Sequence, residues 1–155
     1  MGKVVILSGG SRGLGLYLVE HLLSKGCIVC TFARTSTSDV ERLEKSHPKT
    51  YMFRPLDSRD NTGIKQYIRD IVERFGKING LVNNAAIGQD HLLVHMAGNV
   101  AKDILDINLY SPIMLTKEVV KQMMFQDDGG RIVSISSICG TRGYPGLTVY
   151  SATKA

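Results

Sequence analysis

The stretch "KVVILSGGSRGLGL" (residues 3–16) passes from an unbroken apolar run into a cluster of glycines. Residues 3–8 show no polar alternation, the pattern of a strand covered on both faces. Helical spacing follows, with Leu14, Leu18 and Leu22 on one stripe, broadened by Val19 and Leu23. Between strand and helix lie Gly9, Gly13 and Gly15. Such a turn lets backbone approach a pyrophosphate, with the helix N-terminus facing the negative charge. Side chains at Gly9 or Gly13 would block that approach. In this strand–turn–helix setting the segment reads as a dinucleotide-binding turn, with Gly9, Ser11, Arg12, Gly13, Leu14 and Gly15 as candidate contacts.

Outward from the turn, strand and helix patterns alternate. "CIVCTF" (27–32) reads as a second buried strand, and Ser38 and Glu41 have the spacing of a capping box opening a short helix. Residues 50–55 form a weaker third strand, and Ile64, Ile68, Ile71, Val72 and Phe75 recur at helical spacing. A fourth strand at 78–84, a long helical pattern over roughly 98–124, a fifth strand at 131–136 and a helix beginning near Val149 complete the series. Alternation of this kind implies a parallel sheet with helices on both faces. Neither a repeat nor a linker divides residues 1–155, which read as one domain.

Composition narrows the function classes. The chain is 43% hydrophobic and 21% charged, ordinary for a soluble globular protein. No apolar run approaches the ~20 residues a membrane span needs. The start lacks a signal-peptide pattern, and its sixth residue is not the Ser or Thr of a myristoylation signal. These features predict the cytoplasm. The net charge of +5 suits an anionic ligand, but Lys and Arg are scattered, so nucleic-acid binding is not indicated. Cys27 and Cys30 are three apart on a strand and should face opposite sides, which argues against a shared metal or disulfide. His91 and His95 stand at i, i+4 but have no evident third ligand, so no metal is predicted.

The dinucleotide can be chosen from charge. A site for NAD usually carries an acid about 20 residues past the glycines, bonding the ribose 2′-hydroxyl. Here the second strand runs into Arg34, with no carboxylate before Asp39, and Arg12 lies in the turn. Two arginines suit a 2′-phosphate, so NADP is expected in preference to NAD.

Taken in order, the motifs resemble those of the short-chain dehydrogenase/reductase family. Its T-G-x-x-x-G-x-G turn reads here Ser8-Gly9-Gly10-Ser11-Arg12-Gly13-Leu14-Gly15, and its N-N-A-G motif reads Asn83-Asn84-Ala85-Ala86. Asp57 matches the family's acid beside the adenine ring, with Ser58 next to it. Asn108 matches its helical asparagine; Ser137, Tyr150 and Lys154 match its catalytic serine and Y-x-x-x-K pair. The resemblance implies a Rossmann-type doubly wound sheet of strand order 3-2-1-4-5, lacking the family's last two strands. It implies an NADP(H)-dependent oxidoreductase with Asn108, Ser137, Tyr150 and Lys154 catalytic. Asn84, Ala85, Tyr150 and Lys154 join the cofactor contacts, Lys154 through the nicotinamide ribose. "DHLLVHM" (90–96) is similar to a segment of 3-oxoacyl-acyl-carrier-protein reductases, which points to a carbonyl or acyl-thioester substrate.

The side chains support this chemistry independently. Tyr150 and Lys154, at i and i+4, share a helix face. A free tyrosine, with a pKa of ~10, is too weak an acid near neutrality, and a neighbouring ammonium favours its phenolate. Tyr150 can then protonate a carbonyl oxygen as hydride arrives, while Ser137 hydrogen-bonds the same oxygen. Pro112 cannot donate to the Asn108 carbonyl, so the helix should kink there. By resemblance, that carbonyl holds a water relaying protons toward the lysine.

Members of the family continue beyond the Tyr/Lys helix, so the sequence reads as the front part of a reductase. The fifth strand is expected to expose Ile132, Val133 and Ile135, and Lys154 to lie where helices fray. Such a chain should bind NADPH weakly at best and reduce ketones negligibly. A non-catalytic nucleotide-binding fragment and an unstable truncation remain as alternatives. Relatives assemble as homo-oligomers through the helices carrying Asn108 and Tyr150, an assembly doubtful for this chain.

Overall fold

In the computed structural model, which describes residues 2–155, the apolar run becomes β1 (Val4–Ser8), every residue of which is buried. It is buried because it is central. β2 (Ile28–Ala33) pairs with one edge and β4 (Gly80–Asn83) with the other, both parallel. β3 (Tyr51–Pro55) and β5 (Arg131–Ser134) complete the sheet in the order β3-β2-β1-β4-β5. The expected Rossmann-type topology is therefore observed. The chain winds outward from β1 to β3, then crosses back to place β4 on β1's free edge. That reversal opens a crevice at the carboxyl ends of β1 and β4, where ligands bind in open α/β sheets.

The connecting helices are α1 (Gly13–Ser24), α2 (Ser38–Ser46), α3 (Asn61–Phe75), α4 (Gly98–Leu105), α5 (Ser111–Met123) and α6 (Thr148–Lys154). The sheet's two faces carry separate cores. Val4, Ile6, Cys30 and Phe32 pack with Ile64, Ile68 and Ile71 of α3 and Leu115 and Val119 of α5. Leu7 and Val29 pack with Val19 and Leu23 of α1 and Val40 and Leu43 of α2. Cys27 joins the second core and Cys30 the first, so the two thiols do face opposite sides of the sheet.

Four local expectations need adjustment. α1 buries Gly15, Val19 and Leu23 most deeply; of the expected stripe Leu18 and Leu22 are half-buried against the same core, and Leu14 is 54% exposed. The reason is Gly15: a Cβ there would lie 2.1 Å from the Gly9 carbonyl oxygen, so this face must turn inward. α2 is capped by Thr37, whose hydroxyl accepts from the Val40 N–H at 3.3 Å, and not by Ser38. The same hydroxyl donates to the Ser11 carbonyl at 3.0 Å, tying the cap to the glycine turn. The long pattern at 98–124 is split by a π turn, Asp106–Tyr110. There the Ser111 N–H reaches back five residues to the Asp106 carbonyl, which the Ser111 hydroxyl also engages at 2.7 Å. The irregularity expected from Pro112 takes this form. β5 is two residues shorter than expected and exposed along its length. Among the described residues no helix is long and apolar enough to cross a membrane.

Tyr67 is fully buried, its hydroxyl 2.9 Å from the Thr31 carbonyl and 3.2 Å from that of Met52, bridging β2 and β3. Tyr67→Phe should keep the packing but lose this bond, lowering unfolding free energy by about 1 kcal/mol in urea titration.

Candidate active site

Gly9 follows β1 with φ of 76°, a conformation that disfavours any side chain. A Cβ there would also stand 3.0 Å from the Ala85 Cα. This close approach is held by reciprocal hydrogen bonds. The Ser8 hydroxyl accepts from the N–H groups of Asn84 and Ala85, each at 3.0 Å. The Asn84 amide donates back to the carbonyls of Ser8 (3.0 Å) and Gly9 (3.1 Å). The first turn of α1 then begins at Arg12, whose backbone is extended and whose side chain makes no capping bond. Its N–H groups carry the partial positive charge of a helix terminus.

A cleft of about 670 Å³ opens at this switch point. Gly9, Ser11, Arg12, Gly13, Leu14, Gly15, Arg34, Asp57, Ser58, Asn84 and Ala85 all line it. Those eleven were singled out in the sequence as cofactor contacts. Phe32, Leu56 and Ile107 line it too, and sequence reading took them as core or left them unassigned. Arg12 and Arg34 are exposed, and among the described residues neither enters an ion pair. Asp57 is held differently. Its carboxylate accepts from Arg59 Nε at 3.0 Å, Arg59 Nη2 at 2.7 Å and the Arg59 backbone N–H at 2.9 Å. These bonds hold its carboxyl below the usual range, against a smaller opposing effect of burial.

A second cleft, about 370 Å³, shares Ala85 with the first and is lined by Asn83, Asn108, Thr116, Ser134, Ser136 and Lys154 among others. Asn108 is buried, and its amide clasps Ile87 by accepting from the N–H and donating to the carbonyl, both at 2.8 Å. It also donates to the Thr153 hydroxyl at 3.2 Å, joining the π turn to α6. The Lys154 ammonium donates to the Ile135 carbonyl at 2.8 Å and lies 6.0 Å from the Tyr150 ring centre. Burial lowers its pKa. The Tyr150 ring runs alongside Gly88, close enough that a Cβ there would touch it at 3.6 Å. Ser137 lies just after β5 and accepts from the Cys139 N–H at 3.2 Å. Ser137 and Tyr150 line neither cleft, so Asn108 and Lys154 are the two candidate catalytic residues brought into one.

Comparison with known proteins agrees with the fold. Residues 3–155 match the short chain dehydrogenase family. The chain belongs to the short-chain dehydrogenase family. The 3-oxoacyl-[acyl-carrier-protein] reductase of Haemophilus influenzae is 36% identical over 154 residues, covering 99% of this chain and 63% of that protein. The corresponding reductase of Salmonella typhimurium is 34% identical, covering 99% and 62%. A short-chain dehydrogenase from Streptomyces avermitilis superposes with a TM-score of 0.92 at 29% identity, over 99% of this chain and 56% of that one. ElxO with NADP bound gives 0.90 at 30% identity, over 99% and 63%. The chain thus spans about 63% of the length of the curated relatives it matches. Asn83 ends β4 and Asn84-Ala85 follow it, and Ala86 in the motif's last place has no positive φ.

Two residues central to this short-chain dehydrogenase site escaped the sequence reading. Ser8 stood in the motif yet was not assigned a contact, although its position at the β1 terminus was the available signal. Arg59, two residues past Asp57, had none.

Ser8→Ala and Asn84→Ala should each cost about 1–3 kcal/mol, because each leaves buried backbone groups unpaired. Cutting one shared clamp, together they should cost less than their sum in a urea double-mutant cycle. Asp57 also predicts a pH effect. Its pKa is lower folded than unfolded. Its contribution is therefore complete above the unfolded value of ~3.9 and is lost as pH falls through the folded one. Asp57→Asn should flatten the acid limb of a stability–pH profile in that window.

Proposed function

We propose that the chain is the nucleotide-binding domain of an NADP(H)-dependent oxidoreductase that interconverts a carbonyl and a secondary alcohol, with a 3-oxoacyl thioester as substrate class. The observation carrying the cofactor assignment is electrostatic. An uncapped helix N-terminus and two arginines without carboxylate partners among the described residues line one cleft, whose one described acid is ion-paired to Arg59. This donor set fits a pyrophosphate plus a 2′-phosphate. The glycine turn would take the pyrophosphate, Arg12 and Arg34 the 2′-phosphate, and Asp57 and Ser58 the adenine end.

A bound nicotinamide supplies or accepts the hydride. Tyr150 gives its proton to the substrate oxygen and takes it back in reverse. Lys154 favours the phenolate through its charge, and its lowered pKa keeps that charge closer to titration than an exposed lysine's would be. Ser137 donates to the oxygen as negative charge develops. Asn108 holds the loop at Ile87 against α6, setting the distance between the two clefts. The 3-oxoacyl assignment rests on the reductases named above and on residues 90–96, where Leu92 and Leu93 are each 57% exposed. The exposed stripe Leu105, Leu109 and Ile113 supports an assembly face on α4 and α5, and three unpaired cysteines suit a cytoplasmic setting.

NADPH should bind more tightly than NADH in a fluorescence titration, and Arg34→Ala should reduce that preference by about tenfold. Tighter binding of NADH would refute the assignment. Any turnover the protein shows with an acetoacetyl thioester should fall at least about a hundredfold in Tyr150→Phe.

A further inference from the structure

Among the described residues lining the nucleotide cleft, Asp57 alone carries negative charge. A free carboxylate there would work against a 2′-phosphate in two ways. It would repel the phosphate, and it would draw Arg34 into an ion pair. Arg34 is within electrostatic reach, since its charge helps hold Asp57 ionised. Yet among the described residues Arg34 makes no ion pair, and another guanidinium takes both Asp57 oxygens. Arg59 binds them in a fork, 3.0 Å through Nε and 2.7 Å through Nη2. Its remaining nitrogen, Nη1, donates to Asp103 of α4 at 2.9 Å. The guanidinium is thereby anchored to a residue that does not line the cleft, and its plane is set by two carboxylates at once.

We propose that Arg59 is a specificity-determining positioning residue, which occupies both Asp57 oxygens in a bidentate ion pair and so keeps Arg34 available to a 2′-phosphate. Arg59 does not line the cleft and need not touch the nucleotide. It acts by removing a competitor for Arg34. The inference rests on the NADP reading of the cleft.

The test is the ratio of NADPH to NADH affinity, measured on the chain by NMR or fluorescence titration. Asp57 meets parts common to both nucleotides, so changes in its own contacts cancel from this ratio. Arg59→Gln should lower the preference for NADPH about tenfold, the worth of roughly one charge-assisted bond. Asp57→Asn combined with Arg59→Gln should restore it to within about twofold, since no carboxylate is left to capture Arg34. An unchanged ratio in Arg59→Gln would overturn the proposal. So would a lowered ratio that the double variant fails to restore, the mark of a merely structural role. Should Arg59→Gln not fold, Asp103→Asn, which only loosens the guanidinium, should lower the preference about twofold; no change there overturns the proposal equally. A wild-type chain without preference for NADPH sinks the NADP reading itself, and this inference with it.

Discussion

The Ser8–Asn84 clamp is the constraint on which the rest of the site depends. β1 and β4 are neighbours with a crossover between them, and nothing in strand pairing alone fixes how their carboxyl ends meet. Four hydrogen bonds of about 3 Å between Ser8-Gly9 and Asn84-Ala85 do so. They force the glycine turn against the β4 loop, which demands a residue without a side chain at Gly9 and a close helix face at Gly15. Once the turn is placed, the first turn of α1 has one direction to point, across the mouth of the cleft.

Polar side chains pass this placement on toward the chemistry. Asn108 grips the backbone of Ile87, three residues beyond Asn84, and reaches the Thr153 hydroxyl on α6. Thr153 in turn donates to the Tyr150 carbonyl at 2.7 Å. A chain of hydrogen bonds thus links β1, the β4 loop, the π turn and the helix of Tyr150 and Lys154. Each link fixes an element that would otherwise be set only by apolar packing, which tolerates sliding more readily than directed bonds do. Charge is arranged with similar economy. Among the described residues, arginines line the cleft without ion-pair partners, while its one acid is held by Arg59 from outside the lining.

Much of this was legible in the residues. Unbroken apolar runs at 3–8 and 27–32 announced buried parallel strands, and the glycines between strand and helix marked a dinucleotide-binding turn. The misreadings share a cause, which is that local pattern is blind to what approaches from far away in sequence. Leu14, Leu18 and Leu22 form the more obvious stripe, yet α1 rotates so that Gly15 can meet Gly9. Ser38 has the better capping partner in sequence, but Thr37 has a second acceptor at Ser11. Arg59 was invisible because half of its meaning lies at Asp103, on another helix. The π turn went unseen for a related reason: Ser111 and Pro112 mark an irregularity but not its hydrogen-bond pattern.

The central claim is that a nucleotide bearing a 2′-phosphate occupies the cleft at the ends of β1 and β4. Backbone amide shifts during NADP titration test it residue by residue. The account predicts that the largest changes fall at residues 9–15, at Arg34 and Thr35, at Asp57 and Ser58, and at 84–87, with the Arg34 change absent when NAD replaces NADP. Shifts scattered elsewhere, or identical for the two nucleotides at Arg34, would contradict it.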